Sequence, residues 1–411
     1  MAWPVLGSSM ADENYFDLKK LAEQEQAPKG SFNISLRAIT RGEYGIDYWT
    51  GGLLAAALVY QVISGIFLAF YYQAGNPYNS TIFIISNVPF GLMLLTSHLY
   101  MAYFMVALLF VHMFRQYFIG AYRGAWRWAQ WLLGLVLFGL VYLIATLGYM
   151  LSYTYVGILG LHVGEVLMQR SVIGRLFPAL ANWLITALVG NGTTALTFQH
   201  VFIMHVAILT GLVFLVFPIH FYLYERSGPY EPAGLKKKRS KEEYVPWFPT
   251  NLLYTLFLAF VLIGIVMLAS ALAPQQLVQE YGFVGYNSLP FPDWYMMPMY
   301  KLMDVGGLGL STGGVPLLVA LGGFMVLLPF IDKYKGDTPL ERPAITAIGI
   351  FIILFFVIMA FWGYIQPGLS QTRLFTLIMF AGIAFVAFAA TYAMKFARDD
   401  VIKNEIKSKT V

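Results

Sequence analysis

Residues 91–119 read GLMLLTSHLYMAYFMVALLFVHMFRQYFI, an apolar run that carries two histidines, His98 and His112, and no charge before Arg115. Crossing the hydrocarbon of a bilayer takes about 20 residues of helix, so this segment predicts a membrane span. Ionisable side chains are costly there and are kept where they have partners. Fourteen residues separate the two histidines. At 3.6 residues per turn that is close to four turns, which places both on one helix face about 21 Å apart along the axis.

The rest of the chain supports a membrane setting. Of its 411 residues 59% are hydrophobic and only 11% charged, against roughly 25% charged in an average soluble domain. Further apolar runs begin near Gly51, Trp128, Val201, Leu252, Val315, Ala344 and Leu374, so the expectation is an all-α polytopic protein with eight transmembrane helices. The intervals Ser152 to Thr197 and 273–312 are too long for tight turns and predict surface helices or re-entrant excursions. The net charge of +5 sits in loops and tails, which argues against a nucleic-acid-binding face. With no Cys in the sequence, disulfides, thiolate metal sites and covalent C-x-x-C-H haem attachment are excluded.

A second histidine pair lies in the fourth span. His205 and His220 are fifteen residues apart, about 22 Å along the axis, with an angular drift of roughly 60° that a bend near Pro218 would absorb. Spans two and four run the same way through the membrane, so His98 is expected level with His205 and His112 with His220. Two stacked bis-imidazole haems in a four-helix bundle suit that geometry. Spans one and three repeat the spacing with glycine: Gly51 and Gly65, then Gly134 and Gly148, each fourteen apart. A glycine leaves space where a flat ring approaches the backbone.

The Lys and Arg residues fall at alternate exits: Arg115, Arg123 and Arg127, then Lys236 to Arg239, then Lys333, Lys335 and Arg342, then the C-terminal residues from Lys395 onward. The positive-inside rule then puts both termini on the cytoplasmic side of a cell membrane or its topological equivalent. This divides the chain into an N-terminal surface segment (1–48, with no signal-peptide pattern), a dihaem four-helix bundle (49–230) and a basic cytoplasmic linker (231–249). A C-terminal region of four helices (250–397) and a cytoplasmic tail (398–411) complete it.

From about Trp49 to Pro367 the residues resemble cytochrome b of the quinol–cytochrome c oxidoreductase family. The resemblance rests on Gln61 and Gly65 in a Q-x-x-x-G arrangement, on the run H-M-F-R-Q-Y-F-I-G-A-Y-R-G from His112 to Gly124, and on Gly148-Tyr149. It rests further on Pro292-Asp293-Trp294-Tyr295, similar to the family's P-E-W-Y, and on Trp362-Gly363 followed by Gln366-Pro367. The family implies that His98 and His205 hold one b-type haem near the outer face and His112 and His220 a second near the inner face, with Arg115 paired to a haem propionate. It also implies quinol oxidation at an outer site, with Asp293 as proton acceptor, Tyr300 hydrogen-bonding the quinol and Tyr295 shaping the pocket.

An inner quinone site would involve Glu225. Several family positions differ here: Leu95 and His200 stand in place of arginines, Ser152-Tyr153-Thr154 in place of P-W-G, and Thr255 in place of an aspartate. His162 and Glu165 read as a surface pair. The implied partners are a separate Rieske iron–sulfur protein, a cytochrome c, copper protein or terminal oxidase as final acceptor, membrane lipid, and a second copy in a multisubunit complex. Two other readings of the histidines are a dihaem anchor subunit relaying electrons between quinone and another dehydrogenase or reductase, and a cofactor-free proton-relaying transporter. The anchor subunit would have no reason to carry the Pro292–Tyr295 loop, and the transporter predicts a colourless protein.

Overall fold

The computed structural model describes residues 38–40, 49–190, 194–227, 230, 244–246, 252–277, 280, 292–304, 315–336, 338–367 and 371–410. The acidic N-terminal residues, the lysine-rich run 236–239 and much of the interval 273–312 lie outside them. Among the described residues, seven helices are long and apolar enough to cross a bilayer. They are α1 (Thr50–Ala69), α3 (Gly91–Ile119), α4 (Arg127–Met150), the compound helix α8–α9, α10 (Leu252–Leu272), α13 (Pro343–Ile365) and α14 (Arg373–Thr410). The expected sixth span is α12, Val315–Ile331, with 17 residues and Pro329 near its end. That is the lower end of the about 17–25 residues that span a bilayer.

Shorter elements fill the excursions. Before α3 lies α2 (Pro77–Asn87); the interval after α4 folds into α5 (Tyr155–Arg170), α6 (Val172–Leu176) and α7 (Pro178–Val189). Each start is set locally: Thr154 and Ser171 accept the N–H of Gly157 and Gly174, and Pro178 occupies the first turn of α7, where its missing N–H costs nothing. Helix α11 (Met297–Asp304) follows the Pro292–Tyr295 turn. The eighth span continues through the expected tail as helix to Thr410. An i,i+4 pair of Lys395 with Asp399, and Arg398 bound to Glu341 and Thr338, support that extension.

The fourth span departs from the expected bend. Helix α8 (Thr194–Ile203) passes into a π-helical turn, Met204–Ile208, and then α9 (Leu209–Ser227). The extra residue that makes the interval fifteen is taken up at His205 itself, by one wide turn. Pro218 lies inside α9, but the register is already restored before it.

Four helices, α1, α3, α4 and α8–α9, form the bundle. Its middle is filled by Leu53, Ala57, Met101, Met105, Leu137, Val141 and Val213, joined by Leu262 and Val266 of α10. All of the bundle's members fall between the two histidine levels, so the levels are separated by packed apolar side chains. Around the C-terminal end of α3, Phe114, Tyr117, Tyr122 and Trp131 pack on Met325, Leu328 and Ile345, which fastens the bundle to the C-terminal helices.

A buried ion pair reinforces that seam. Arg342 and Asp332 meet at 3.1 Å, and Tyr122 donates to the same Asp332 oxygen at 2.5 Å. Arg342 also donates to Tyr122 Oη and to the Phe118 carbonyl. Arg123 reaches the carbonyls of Tyr334 and Gly336, so the basic loops after α3 and α12 share one face. Strands β1 (Ala38–Thr40) and β2 (Tyr244–Pro246) pair antiparallel, which brings the chain before α1 beside the chain before α10.

Candidate functional site

The four intramembrane histidines come together as two pairs. The rings of His98 and His205 are 6.4 Å apart between centroids, and His112 lies within electrostatic reach of His220. Each Nδ1 is held by a neighbouring helix. His205 donates to the Ile144 carbonyl at 2.8 Å and His220 to the Gln130 carbonyl at 2.9 Å. A carbonyl only accepts, so in both rings Nδ1 carries the proton and Nε2 keeps its lone pair.

His98 meets Ser64 Oγ at 2.8 Å, and that hydroxyl gives its own proton to the Tyr60 carbonyl at 2.7 Å. Ser64 therefore accepts from His98, which leaves Nε2 with the lone pair again. His112 Nδ1 meets Thr50 Oγ1 at 3.1 Å. Hydrogen-bonding one imidazole nitrogen to present the other is how proteins orient metal-binding histidines.

The glycines define the same constellation from the other side. A Cβ at Gly51 would lie 3.3 Å from His112 Cε1, at Gly65 3.3 Å from His98, at Gly134 3.2 Å from His220 and at Gly148 2.5 Å from His205. The sequence reading places a flat ring in each gap; the structure places the edge of an imidazole in all four. Each glycine lets one helix approach another closely enough for a backbone or hydroxyl oxygen to reach Nδ1. These residues, four imidazoles in two pairs with every Nδ1 engaged by a neighbouring helix, fit axial ligation of haem iron without covalent attachment.

Arg115 sits within electrostatic reach of His112, one turn beyond it. Glu225 is half-buried in the last turn of α9. Thr255 packs against Gly52, whose Cβ would meet it at 2.8 Å. His200 approaches the Ala187 carbonyl at 3.3 Å and so ties α8 to α7. His162 and Glu165 are 3.3 Å apart, the surface pair expected.

A second cluster forms around Asp293. Its carbonyl accepts from the N–H of Met296 and Met297, forming the turn into α11. Its carboxylate receives the Tyr103 hydroxyl from α3, while Oδ2 is buried with no hydrogen-bond partner. Burial lifts its pKa to about 6, partly opposed by the Tyr103 hydrogen bond. Tyr295 is 4% exposed; Tyr142 packs edge-on against it at 5.5 Å and donates to its carbonyl at 3.0 Å. Burial and the neighbouring carboxylate raise the Tyr295 hydroxyl. Tyr300 lies two turns along, half-buried on α11, and Tyr364 at the end of α13 senses the Asp293 charge.

Sequence reasoning did not single out Tyr103, Ser64, Thr50 or Thr210. The signal was present for Thr50, next to Gly51, and for Ser64, next to Gly65. Nothing in the order of residues tied Tyr103 to a loop 190 positions away.

The comparisons with known proteins bear on all of this. A family model described as "Cytochrome b(N-terminal)/b6/petB" matches residues 103–280. Cytochrome b from Sulfolobus acidocaldarius is 30% identical over 367 residues, covering 80% of this chain and 63% of that protein. Over most of its length, this chain is similar to cytochrome b.

A cytochrome bc complex cytochrome b subunit from Chlorobaculum thiosulfatiphilum is 28% identical over 79% of this chain and 75% of that one. Rhodobacter capsulatus cytochrome b is 26% identical, with 77% of each covered. In shape, a chain of a structure titled "Hyperthermophilic respiratory Complex III" matches with a TM-score of 0.70 at 22% identity, over 88% of this chain and 93% of that one. The all-helical membrane fold of a cytochrome b is thus common to them. Of the four histidines, His98 alone precedes the interval of the family model, and Asp293 follows it.

Proposed function

We propose that this chain is a cytochrome b, the membrane subunit of a respiratory quinol-oxidising complex, which oxidises quinol at the outer cluster and divides its electrons between two routes. The observation that carries the reading is the matched pairs His98–His205 and His112–His220, each Nδ1 hydrogen-bonded and the two levels parted by an apolar layer. Two b haems bound there would supply one-electron carriers across the membrane. Within the chain, the imidazoles would hold the irons, Arg115 would face the charged edge of the inner group, and the glycines would keep the ligand rings seated.

At the outer cluster, oxidation of a quinol releases two electrons and two protons. Asp293 would take a proton from the quinol hydroxyl, since a carboxylate with a pKa of about 6 is ionised at neutral pH yet a competent acceptor. Tyr300 would hydrogen-bond the quinol and Tyr295 would wall the pocket. The first electron would go to a Rieske iron–sulfur protein, a separate subunit because these 411 residues contain no Cys. A cytochrome c, a copper protein or a terminal oxidase would accept it in turn. The second electron would cross to a quinone near Glu225 on the cytoplasmic side, contributing to proton motive force. Two copies of the chain in a multisubunit assembly complete the reading.

Redox difference spectra of the purified protein test it. Wild type should show two b-type haems, and His205→Ala and His112→Ala should each remove one. A colourless protein, or a spectrum indifferent to both substitutions, would refute the reading.

A further inference from the structure

Helix α11 carries an ammonium group buried in the protein interior. Lys301 is 0% exposed, a burial that Lys almost never has without partners. Its Nζ donates to the main-chain oxygen of Gln366 at 2.7 Å and lies 4.8 Å from the centre of the Trp362 ring. Gln366 is itself fixed: its side-chain oxygen accepts from the Trp362 indole at 3.0 Å, and its N–H donates to the Trp362 carbonyl. The cation thus grips the end of α13 by a charge-assisted hydrogen bond and a cation–π contact, both strengthened by the low local dielectric.

The same face of α11 makes the closest approach to α13. A Cβ on Gly363 would lie 2.6 Å from Met297 Cγ and 3.4 Å from Lys301 Cβ, so α11 seats in the notch that this glycine leaves. Asp293, Met297 and Lys301 follow at intervals of four along the chain, spacing that aligns them on one side of a helical turn. Tyr364, next to Gly363, reaches the Asp293 charge.

We propose that Lys301 is a positioning residue of the outer pocket: by clamping α11 onto Trp362 and Gln366 it holds Asp293 in its buried seat against Tyr103. The inference rests on the quinol-oxidising reading above. The groups facing Asp293 are Tyr103 from α3, Tyr295 from its own turn and Tyr364 from α13. The lysine acts through the placement of α11 on α13.

The test is the pH profile of quinol oxidation in the intact complex, with haem content checked by difference spectra. Lys301→Met should loosen α11, admit water to Asp293 and move the midpoint of the profile down by about one pH unit, towards the ordinary carboxylate range. Gly363→Ala, which keeps the ammonium but crowds Met297, should move it the same way and decides the matter if Lys301→Met does not assemble. Asp293→Asn should remove the inflection altogether. If Asp293→Asn does so while assembled Lys301→Met and Gly363→Ala keep the wild-type midpoint, the clamp is wrong and the quinol reading stands. If Asp293→Asn leaves the inflection in place, the reading fails and the clamp falls with it.

Discussion

The hydroxyl of Thr210 donates to the main-chain oxygen of His205 at 2.6 Å, five residues back along the chain. In a regular α-helix that oxygen would receive the N–H of residue 209; here the N–H of Leu209 instead goes to Met204. The wide turn leaves the His205 carbonyl short of its usual partner, and Thr210 supplies one. This is how an interval of fifteen residues presents its two histidines to one side, as fourteen do in α3.

Removing the extra residue should therefore be tolerated. Deletion of Ala207, exposed on the wide turn, would let the segment close as plain α-helix with the α3 interval. We expect both haem signals to survive in difference spectra. Loss of the signal assigned to the His98–His205 level would show that the turn does more than restore register.

A methyl group at Gly148 has no room beside His205, at 2.5 Å, whereas one at Gly134 meets His220 at 3.2 Å. Gly148→Ala should displace the imidazole, at a cost of about 1–3 kcal/mol for overpacking, and deplete the outer haem selectively. Gly134→Ala should act more weakly and on the inner one. Spectral titration of the two haems separates the effects, and equal depletion by both variants would contradict the assignment of levels.

Asp332 and Arg342 are both buried and share Tyr122. Asp332→Leu strands a guanidinium inside the protein and should destabilise it by about 3–5 kcal/mol. Adding Arg342→Met should recover part of that loss, because no unpaired charge is then left. Thermal unfolding in detergent micelles reads the difference. A double variant no more stable than the single one would mean that the pair is not the seam's main fastening.

For Asp293 the sign of the pH effect follows from its raised pKa. Below about 6 the carboxyl holds its proton and cannot accept another, so quinol oxidation should rise as the pH passes through 6 and level off above it. Stability should move the opposite way. The folded protein binds this proton more tightly than the unfolded chain, so between 3.8 and about 6 the folded state loses stability as pH rises. Asp293→Asn should flatten the rate profile and relieve that loss, as steady-state rates and melting curves across pH would show.

Much of the architecture could be read from the order of residues, because a bilayer imposes length and apolarity on every span. The fourteen-residue intervals in α1, α3 and α4 declared their shared faces by arithmetic alone. The sixth span was harder to delimit, since Pro329 shortens its helix. The fourth was read with the wrong device: proline is a visible cause of bending, whereas a π turn has no sequence signature of its own.

What the sequence by itself determined is the set of helices, the two levels of histidine and glycine, and the face on which the basic loops gather. All of these depend on spacing along one chain. What only the tertiary structure decided is which atoms meet between chain segments far apart: Ser64 and Thr50 on the histidine nitrogens, Tyr103 on Asp293, Lys301 on Gln366. Such contacts depend on how helices rotate and approach one another, which is set by packing across the whole bundle and leaves no local periodicity to read.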